Sequence, residues 1–573
     1  MIIVSEDAIR RNKEAGWWTE VRLTDLLEKQ AAQTPDREAL VDAPNRERLM
    51  SGAPRRLTWA EVSDEAWRFA ALLNRAGLKK DDVLLTQLPN IVEYVAIYLA
   101  AWRLGIIVTP LPVQHREKEA RFAAEKTGAK AILTARNILG RDHLALMHGV
   151  KAVSLSVETL LAFDAGDEDG AIDIGGALAR IRDADIVRAR EAAESAAMTA
   201  HDVATICWTS GTEAVPKGVP RNHNEWRLIA EFQISAVELQ PGTRMLVPFP
   251  MVNMSGVGSG IVLWLRLGGA MVLHHPFDLD LFLSQLRDEE IDYTVTAPAV
   301  LNRLLNEREK LAGIDFSRLA GLGSGSAPLS EWMVRTWRDD YGVDLNNNYG
   351  SNEGAGLVSS CLDVPDPAER AVYFPRFGDG RFNWKHIFGQ ALECRLVDPD
   401  TGEEITGPGK PGELLTRGPT VFSGYWEAPE LTEAAFDKDG WFRTGDLFEI
   451  DGPDDKYFRF VGRCKDIVVR GGMNISCEEV EGYLNAHPAV TEAAIIGAPD
   501  PVMGERICAC VVAADEPPDK DALNAYLRSE WQIAVYKQIE RLEFFDALPR
   551  NPIGKVLKRE LRDEIRRRGD MAA

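Results

Sequence analysis

Apolar positions recur at two different periods along this chain, and the changes between them predict its architecture. In "LTWAEVSDEAWRFAALLNRAG", Val62, Ala66, Phe69 and Leu73 fall three or four residues apart along one helical face, and Gly77 ends the helix. Thr58 stands three residues before Glu61, so the first turn carries a capping box. Short solid apolar runs follow: "DVLLTQL", "IIVTPL", "KAILTA", "RMLVPF", "AMVLHH" and "DYTVTAP" read as buried strands. Between the first two lies the helical "IVEYVAIYLAAWRLG". Strands alternating with helices predict βαβ units, an α/β fold and a parallel sheet covered on both faces.

The pattern then changes three times. From Ala165 to Ala200 the chain is charged and alanine-rich with few large apolar residues, which predicts a surface insertion with one helix and no functional part. Glycine and proline turns in "DPDTGEEITGPGKPGELLTRGP" separate short β-like runs, as in a small β-rich subdomain. After "GRCKDIVVRGG" come helix "SCEEVEGYLNAHP", strands "TEAAIIGAP" and "RICACVVAA", and helix "KDALNAYLRSEW". That is a compact α+β module of the size that folds alone. The final "KVLKRELRDEIRRRGDMAA" mixes both charges at helical spacing and reads as a solvated helix face rather than a nucleic-acid arm. Two domains are expected, 1–464 and 465–573.

Composition narrows the classes. At 573 residues the chain exceeds what one core usually serves. A formal net charge of −22 disfavours non-specific attraction to nucleic acid or anionic lipid. The seven cysteines are scattered, with no C-x-x-C spacing, and suggest neither a disulfide framework nor a zinc site. The N-terminus lacks the apolar core of a signal peptide. The longest apolar region, "GSGIVLWLRLGGAMVLHH", is broken by Arg266 and glycines, short of the ~20 residues of a spanning helix. These features predict a cytoplasmic, soluble protein, and nothing in them opposes a homodimer.

The first chemistry-bearing stretch is "TSGTEAVPKGV", from Thr209 to Val219. Small residues let backbone N–H groups approach a ligand, hydroxyls donate further bonds, and Lys217 adds a compact charge, a combination suited to a polyphosphate. It is not the phosphate loop G-x-x-x-x-G-K-[ST], because Pro216 and Gly218 flank the lysine. "GLGSGS" imitates a dinucleotide fingerprint, but Ser326 stands where the third glycine belongs and Pro328 follows closely, so a nicotinamide cofactor is discounted. In "YGSNE" an aromatic ring precedes glycine, suited to stacking on a base, and Glu353 is a hard oxygen ligand suited to Mg²⁺. Asp446 in "RTGDL" is the natural acceptor for ribose hydroxyls. In "NPIGKVL", Asn551, Pro552 and Gly554 make a turn that presents Lys555.

Together these segments resemble the adenylate-forming superfamily of acyl-CoA synthetases, aryl-acid AMP ligases, peptide-synthetase adenylation domains and luciferases. The resemblance runs in order through "TSGTEAVPKGV", "GSGSAPL", "NNNYGSNEGAG", "GELLTRGPTVFSGYW", "WFRTGDL", "GRCKDIVVRGGMNISCEEVE" and "LPRNPIGKVLKREL", nearly the whole chain. It implies that Thr209, Ser210, Gly211, Thr212 and Lys217 hold the triphosphate, with Glu353 and Thr212 on Mg²⁺. It implies that Gly325, Ser326, Ala327 and Tyr349 meet the adenine, Asn352 a phosphate oxygen, and Asp446 and Arg463 the ribose. Lys555 is then the catalytic lysine of adenylation. The small domain is mobile and rotates about Lys465 to offer Gly471 and Gly472 in "VVRGGMN" to a second step. Asn253, Gly323 and Gly350 fall in the substrate pocket.

The implied reaction joins a carboxylate to AMP at the expense of ATP and then passes the acyl group to a thiol, coenzyme A. The acid stays open among aromatic, alicyclic, steroid side-chain and medium-chain fatty acids. An aryl-acid AMP ligase loading a separate carrier protein is the alternative, encouraged by "GWW" at Gly16 to Trp18. A non-catalytic nucleotide-binding protein is disfavoured by the intact Lys217, Glu353, Asp446, Arg463 and Lys555. Two departures stand out. Glu213 and Ala214 replace the second threonine and last glycine of the usual phosphate loop, and Val252, Asn253 and Met254 occupy a wall where many relatives carry histidine or an aromatic ring. Asn253 either bonds a polar acyl substituent or satisfies backbone, and with Gly256, Gly258 and Gly323 the pocket is expected to be roomy.

Overall fold

A computed structural model describes the chain except for residues 210–215, 355, 465, 471–472, 501–502, 515, 532, 552–554 and 571–573. The expected first long helix forms over Trp59–Arg75, and both halves of its capping box close. Thr58 Oγ1 accepts from the Glu61 amide at 3.3 Å while the Glu61 carboxylate accepts from the Thr58 amide at 2.8 Å. Val62, Ala66, Phe69 and Leu73 are buried. Helix Val92–Leu104 buries every residue except Glu93, which explains why its sequence is apolar all round instead of striped.

The apolar runs become strands divided between two sheets. Val83–Thr86, Ile107–Pro110 and Ala131–Ala135 lie side by side and parallel in a seven-stranded sheet. Met245–Val247, Met271–Leu273 and Tyr293–Thr296 are neighbours in an eight-stranded one, again parallel. That sheet continues through Gly321–Gly325 and Leu345–Gly350, so three parallel strands end together at Thr296, Gly325 and Gly350. Such an edge is where open α/β sheets hold ligands. Since Gly321, Gly323 and Gly325 lie inside a strand, "GLGSGS" is no strand-to-helix phosphate turn.

Two expectations are corrected. The Ala165–Ala200 stretch is more than a surface insertion with one helix. It adds an edge strand, Ile172–Asp173, and two helices, Ile174–Ala179 and Asp183–Ser195. Ile174 and Ala189 have no exposed surface and join the main core. Most of their other residues keep some exposure, so few large apolar residues are needed to attach them. Secondly, Gly256 and Gly258 open no room. A Cβ on Gly256 would lie 1.9 Å from the Pro250 carbonyl oxygen, and one on Gly258 would lie 2.8 Å from Ile229. They permit close packing of the segment Met254–Val262, a π-helix, which continues into the α-helix Leu263–Leu267.

The turn-rich region forms a six-stranded antiparallel sheet that includes Gly412–Arg417, Phe442–Asp451 and Tyr457–Arg463. A five-stranded sheet begins at Ile467 and carries the predicted helices as Cys477–Asn485 and Lys520–Ser529. The last helix, Lys558–Asp570, buries Leu561 and Ile565, and its Arg562 pairs with the buried Asp466 at 2.9 Å. Among the described residues no helix is long and apolar enough to cross a membrane.

Candidate active site

The hydroxyl-rich loop joins two antiparallel strands, Val203–Thr209 and Lys217–Asn222, with Thr209 directly opposite Lys217. Ser210, Gly211, Thr212 and Glu213 lie outside the described residues, as do Lys465, Gly471 and Gly472. At the foot of this hairpin the Lys217 ammonium lies 5.0 Å from the centre of the Tyr425 ring. The Tyr425 hydroxyl in turn donates to Glu353 Oε1 at 2.9 Å. Lys217 and Glu353 therefore face one another across a phenol.

The backbone around Glu353 is held by a residue that sequence reasoning missed. Arg221, 1% exposed, donates through Nε and Nη2 to the Asn352 carbonyl at 2.8 and 2.6 Å and through Nη1 to the Thr420 carbonyl at 2.9 Å. Burial lowers its pKa, while the nearby Glu225, Cys207 and Glu353 act the other way. The Thr420 hydroxyl donates to the Gly354 carbonyl at 3.0 Å, and the Phe422 amide to the Glu353 carbonyl at 2.9 Å. The available signal was an arginine set in the otherwise uncharged middle of "KGVPRN". The Asn352 amide is engaged with backbone on both sides, donating to Trp208 O at 3.2 Å and accepting from Met254 N at 2.9 Å. Trp18, from the "GWW" segment, donates to the Pro419 carbonyl at 3.0 Å and ties the N-terminal stretch to the same loop.

A second cluster gathers Tyr349, Asp446, Arg463 and Lys555. Asp446 and Arg463 are register partners in adjacent antiparallel strands, and Arg463 Nε lies 3.5 Å from Asp446 Oδ1. The Tyr349 hydroxyl donates to Asp446 Oδ2 at 2.6 Å. Its ring stands edge-on to Phe448 at 5.0 Å and also touches Phe374 and Phe460. Burial raises the pKa of Asp446 while Arg463 and the Tyr349 hydroxyl resist. The Lys555 amide donates to Asn551 Oδ1 at 2.8 Å and its carbonyl accepts from the Asn551 amide at 2.9 Å, while Pro552 and Gly554 lie outside the described residues. Burial, reinforced by Arg463, pushes the Lys555 ammonium down to about 8, against the pull of Asp446, Asp466 and Glu478. The lysine of the α+β module thus lies within electrostatic reach of the carboxylate and guanidinium of the β-rich sheet.

On the third side, Asn253 Oδ1 accepts from the Ser255 and Gly256 amides at 3.1 and 3.2 Å, capping the π-helix, so this atom is spent on backbone. At the end of the glycine strand, Ser326 takes a φ of +69° and Ala327 is exposed, while Gly350 lies exposed at the end of the next strand. A Cβ on Gly325 would lie 2.1 Å from the Asn348 carbonyl oxygen, so only glycine lets the two strands approach.

The chain matches the family model of the AMP-binding enzyme over residues 27–426, and that of the AMP-binding enzyme C-terminal domain over 479–555. It belongs to the AMP-binding enzyme family. It is similar to pyochelin synthase PchD of Pseudomonas aeruginosa (strain UCBPP-PA14), 31% identical over 98% of this chain and 95% of the relative. It is also similar to a salicylyl-CoA synthase / salicylate adenylyltransferase of a Streptomyces species, 31% identical over 99% of this chain and 97% of that one. Among solved structures, ATP-bound MatB from Rhodopseudomonas palustris covers 95% of this chain and 99% of its own at 25% identity, with a TM-score of 0.76. The chain therefore falls in the AMP-forming acid ligase family of the adenylate-forming superfamily, with a large mixed α/β N-terminal part and a smaller C-terminal one.

Proposed function

We propose that this ligase activates a carboxylic acid as acyl-AMP and transfers the acyl group to coenzyme A, with residues 1–464 forming the nucleotide and acyl site and 465–573 a domain that pivots at Lys465. The observation that carries the reading is the pairing of Asp446 with Arg463 through Oδ1 and with the Tyr349 hydroxyl through Oδ2, within electrostatic reach of Lys555.

In the first half, the loop from Thr209 to Thr212 and Lys217 hold the triphosphate of ATP. Asp446 and Arg463 take the ribose, and Tyr349, with Gly325, Ser326 and Ala327, flanks the base. A substrate carboxylate oxygen bonds to the α-phosphorus as the bond to pyrophosphate breaks. Lys555 places its positive charge where negative charge accumulates in that step. Glu353 is a hard oxygen donor facing Lys217, and no cluster of three or more His, Cys, Asp or Glu side chains occurs among the described residues. Glu353, together with the Thr212 hydroxyl, would hold Mg²⁺ beside the phosphates, whose charge the ion would neutralise. In the second half a thiol sulfur bonds to the acyl carbon, AMP leaves, and the thiol proton passes to solvent. AMP is a far better leaving group than oxide, which is the gain from splitting the reaction.

Coenzyme A as acceptor is supported by the relative that bears the name salicylyl-CoA synthase. The same name includes an adenylyltransferase, so loading of a separate carrier protein is the second reading. A pyrophosphate-release screen over a carboxylate panel, with and without coenzyme A, tests both. Acid-dependent release with thioester formed from free coenzyme A is expected. Release without that thioester would transfer the reading to a carrier protein, and no acid-dependent release at all would refute ligase activity.

A further inference from the structure

One face of the eight-stranded sheet is paved with glycine and amide. Val295, Gly323 and Asn346 are register partners across three parallel strands, and Gly325 pairs with Asn348 two residues further along. A methyl group on Gly323 would lie 3.0 Å from each of three atoms, Asn348 Nδ2, the Tyr293 hydroxyl and Val295 Cγ2. Helix His223–Val237 covers this face: Val237 packs on Gly321, and the Tyr293 hydroxyl donates to Gln233 Oε1 at 2.8 Å. A crevice lined by Phe249, Ser255, Ser259, Tyr293 and Val295 adjoins it.

The polar groups here are out of balance. Asn346 has no exposed surface, yet neither its Nδ2 nor its Oδ1 has a hydrogen-bond partner, and Asn348 Oδ1 is buried without one as well. Buried amides are nearly always partnered, because an unmade bond forfeits the hydration they lost. A hydrocarbon acyl chain would leave them unpaired. Gln233, Tyr293, Asn346 and Asn348 are all neutral, so a charged substituent would find no counter-ion among them.

We propose that this wall binds the body of the carboxylic acid through neutral hydrogen-bonding substituents, hydroxyl or carbonyl, carried away from the carboxylate being activated. The assignment rests on the acid-ligase reading and adds a substrate class to it. Each amide presents a donor and an acceptor, matching a hydroxyl, and Tyr293 holds the Gln233 amide in place beside them.

The test is pyrophosphate exchange with matched acids: benzoate against hydroxybenzoates, hexanoate against hydroxy- and oxohexanoates, and phthalate and adipate as charged counterparts. At least one neutral substituted acid is expected to exceed its parent by about 10²-fold in kcat/KM, and the dicarboxylates are not. Asn346→Leu and Asn348→Leu should shrink that ratio at least tenfold, improving the parent as they weaken the substituted acid. Parents that equal or beat every substituted acid in the wild type would overturn the assignment whether or not the variants fold. So would a preferred dicarboxylate, or folded variants with an unchanged ratio. Absence of exchange with any acid would instead refute the ligase reading beneath it, and the assignment with it.

Discussion

Lys555 offers the sharpest perturbation, because its charge can be removed by mutation or by pH. A unit charge about 4 Å from a phosphate oxygen at an effective dielectric near 20 is worth about 4 kcal/mol. Part of that acts on bound ATP before reaction, so Lys555→Ala should slow adenylation by ~10²-fold or more. Thioester formation from synthetic acyl-AMP should be spared. The pH dependence follows from burial, which brings the ammonium down to about 8. It is about nine-tenths protonated at pH 7 and about one-tenth at pH 9, so kcat/KM for pyrophosphate exchange should fall about tenfold between them. That ratio reports the free enzyme, the state to which this value applies. The sign for stability is opposite. Between about 8 and the ordinary lysine range the folded chain binds fewer protons than the unfolded one, so this group's contribution to stability rises with pH. Loss of activity without a fall in melting temperature therefore separates the two effects, and Lys555→Arg, charged throughout, should abolish the alkaline limb. A limb that persists in Lys555→Arg, or equal damage to both half-reactions in Lys555→Ala, would refute the assignment.

Glu353→Ala should depress adenylation with partial rescue by raised Mg²⁺, and an unchanged Mg²⁺ titration would remove Glu353 from the metal. Arg221→Met strands the Asn352 and Thr420 carbonyls and should cost about 2–4 kcal/mol in a urea titration. A loss below about 0.5 kcal/mol would mean that these carbonyls find other partners. Lys465→Pro fixes φ near ~−65°, and pyrophosphate exchange is expected to persist while thioester formation collapses. Both halves at wild-type rates in a folded variant would show that the pivot lies elsewhere.

The parts legible in the sequence are those that local chemistry decides. The capping box of Thr58 and Glu61 and the solid strands each follow from neighbouring residues, and each forms. The ordered motifs named Lys217 and Glu353 of the first cluster and the members of the second for the same reason: each motif is one continuous loop or strand end. Arg221 and Tyr425 escaped notice because their meaning comes from remote partners, the carbonyls at Asn352 and Thr420 and the carboxylate of Glu353. Gly256 and Gly258 were misread as space because sequence gives no hint that Pro250 and Ile229 already fill it. The alanine-rich segment was underrated because a few buried residues, Ile174 and Ala189 among them, are enough to attach it.

The buried guanidinium of Arg221 also bears on when this protein acquires a binding site. Its carbonyl partners lie 131 and 199 positions further along the chain, and all three segments must arrive before the full set of bonds can form. Closing such distant contacts is entropically expensive and comes late in folding. The Lys217–Glu353 end of the site is therefore a property of the finished large domain and of no fragment that stops short of Thr420. ATP should in consequence act as a folding ligand, raising the melting temperature of the whole large domain in proportion to the logarithm of its concentration above Kd. A chain still emerging from the ribosome would be blind to nucleotide until its last β-rich strands were in place.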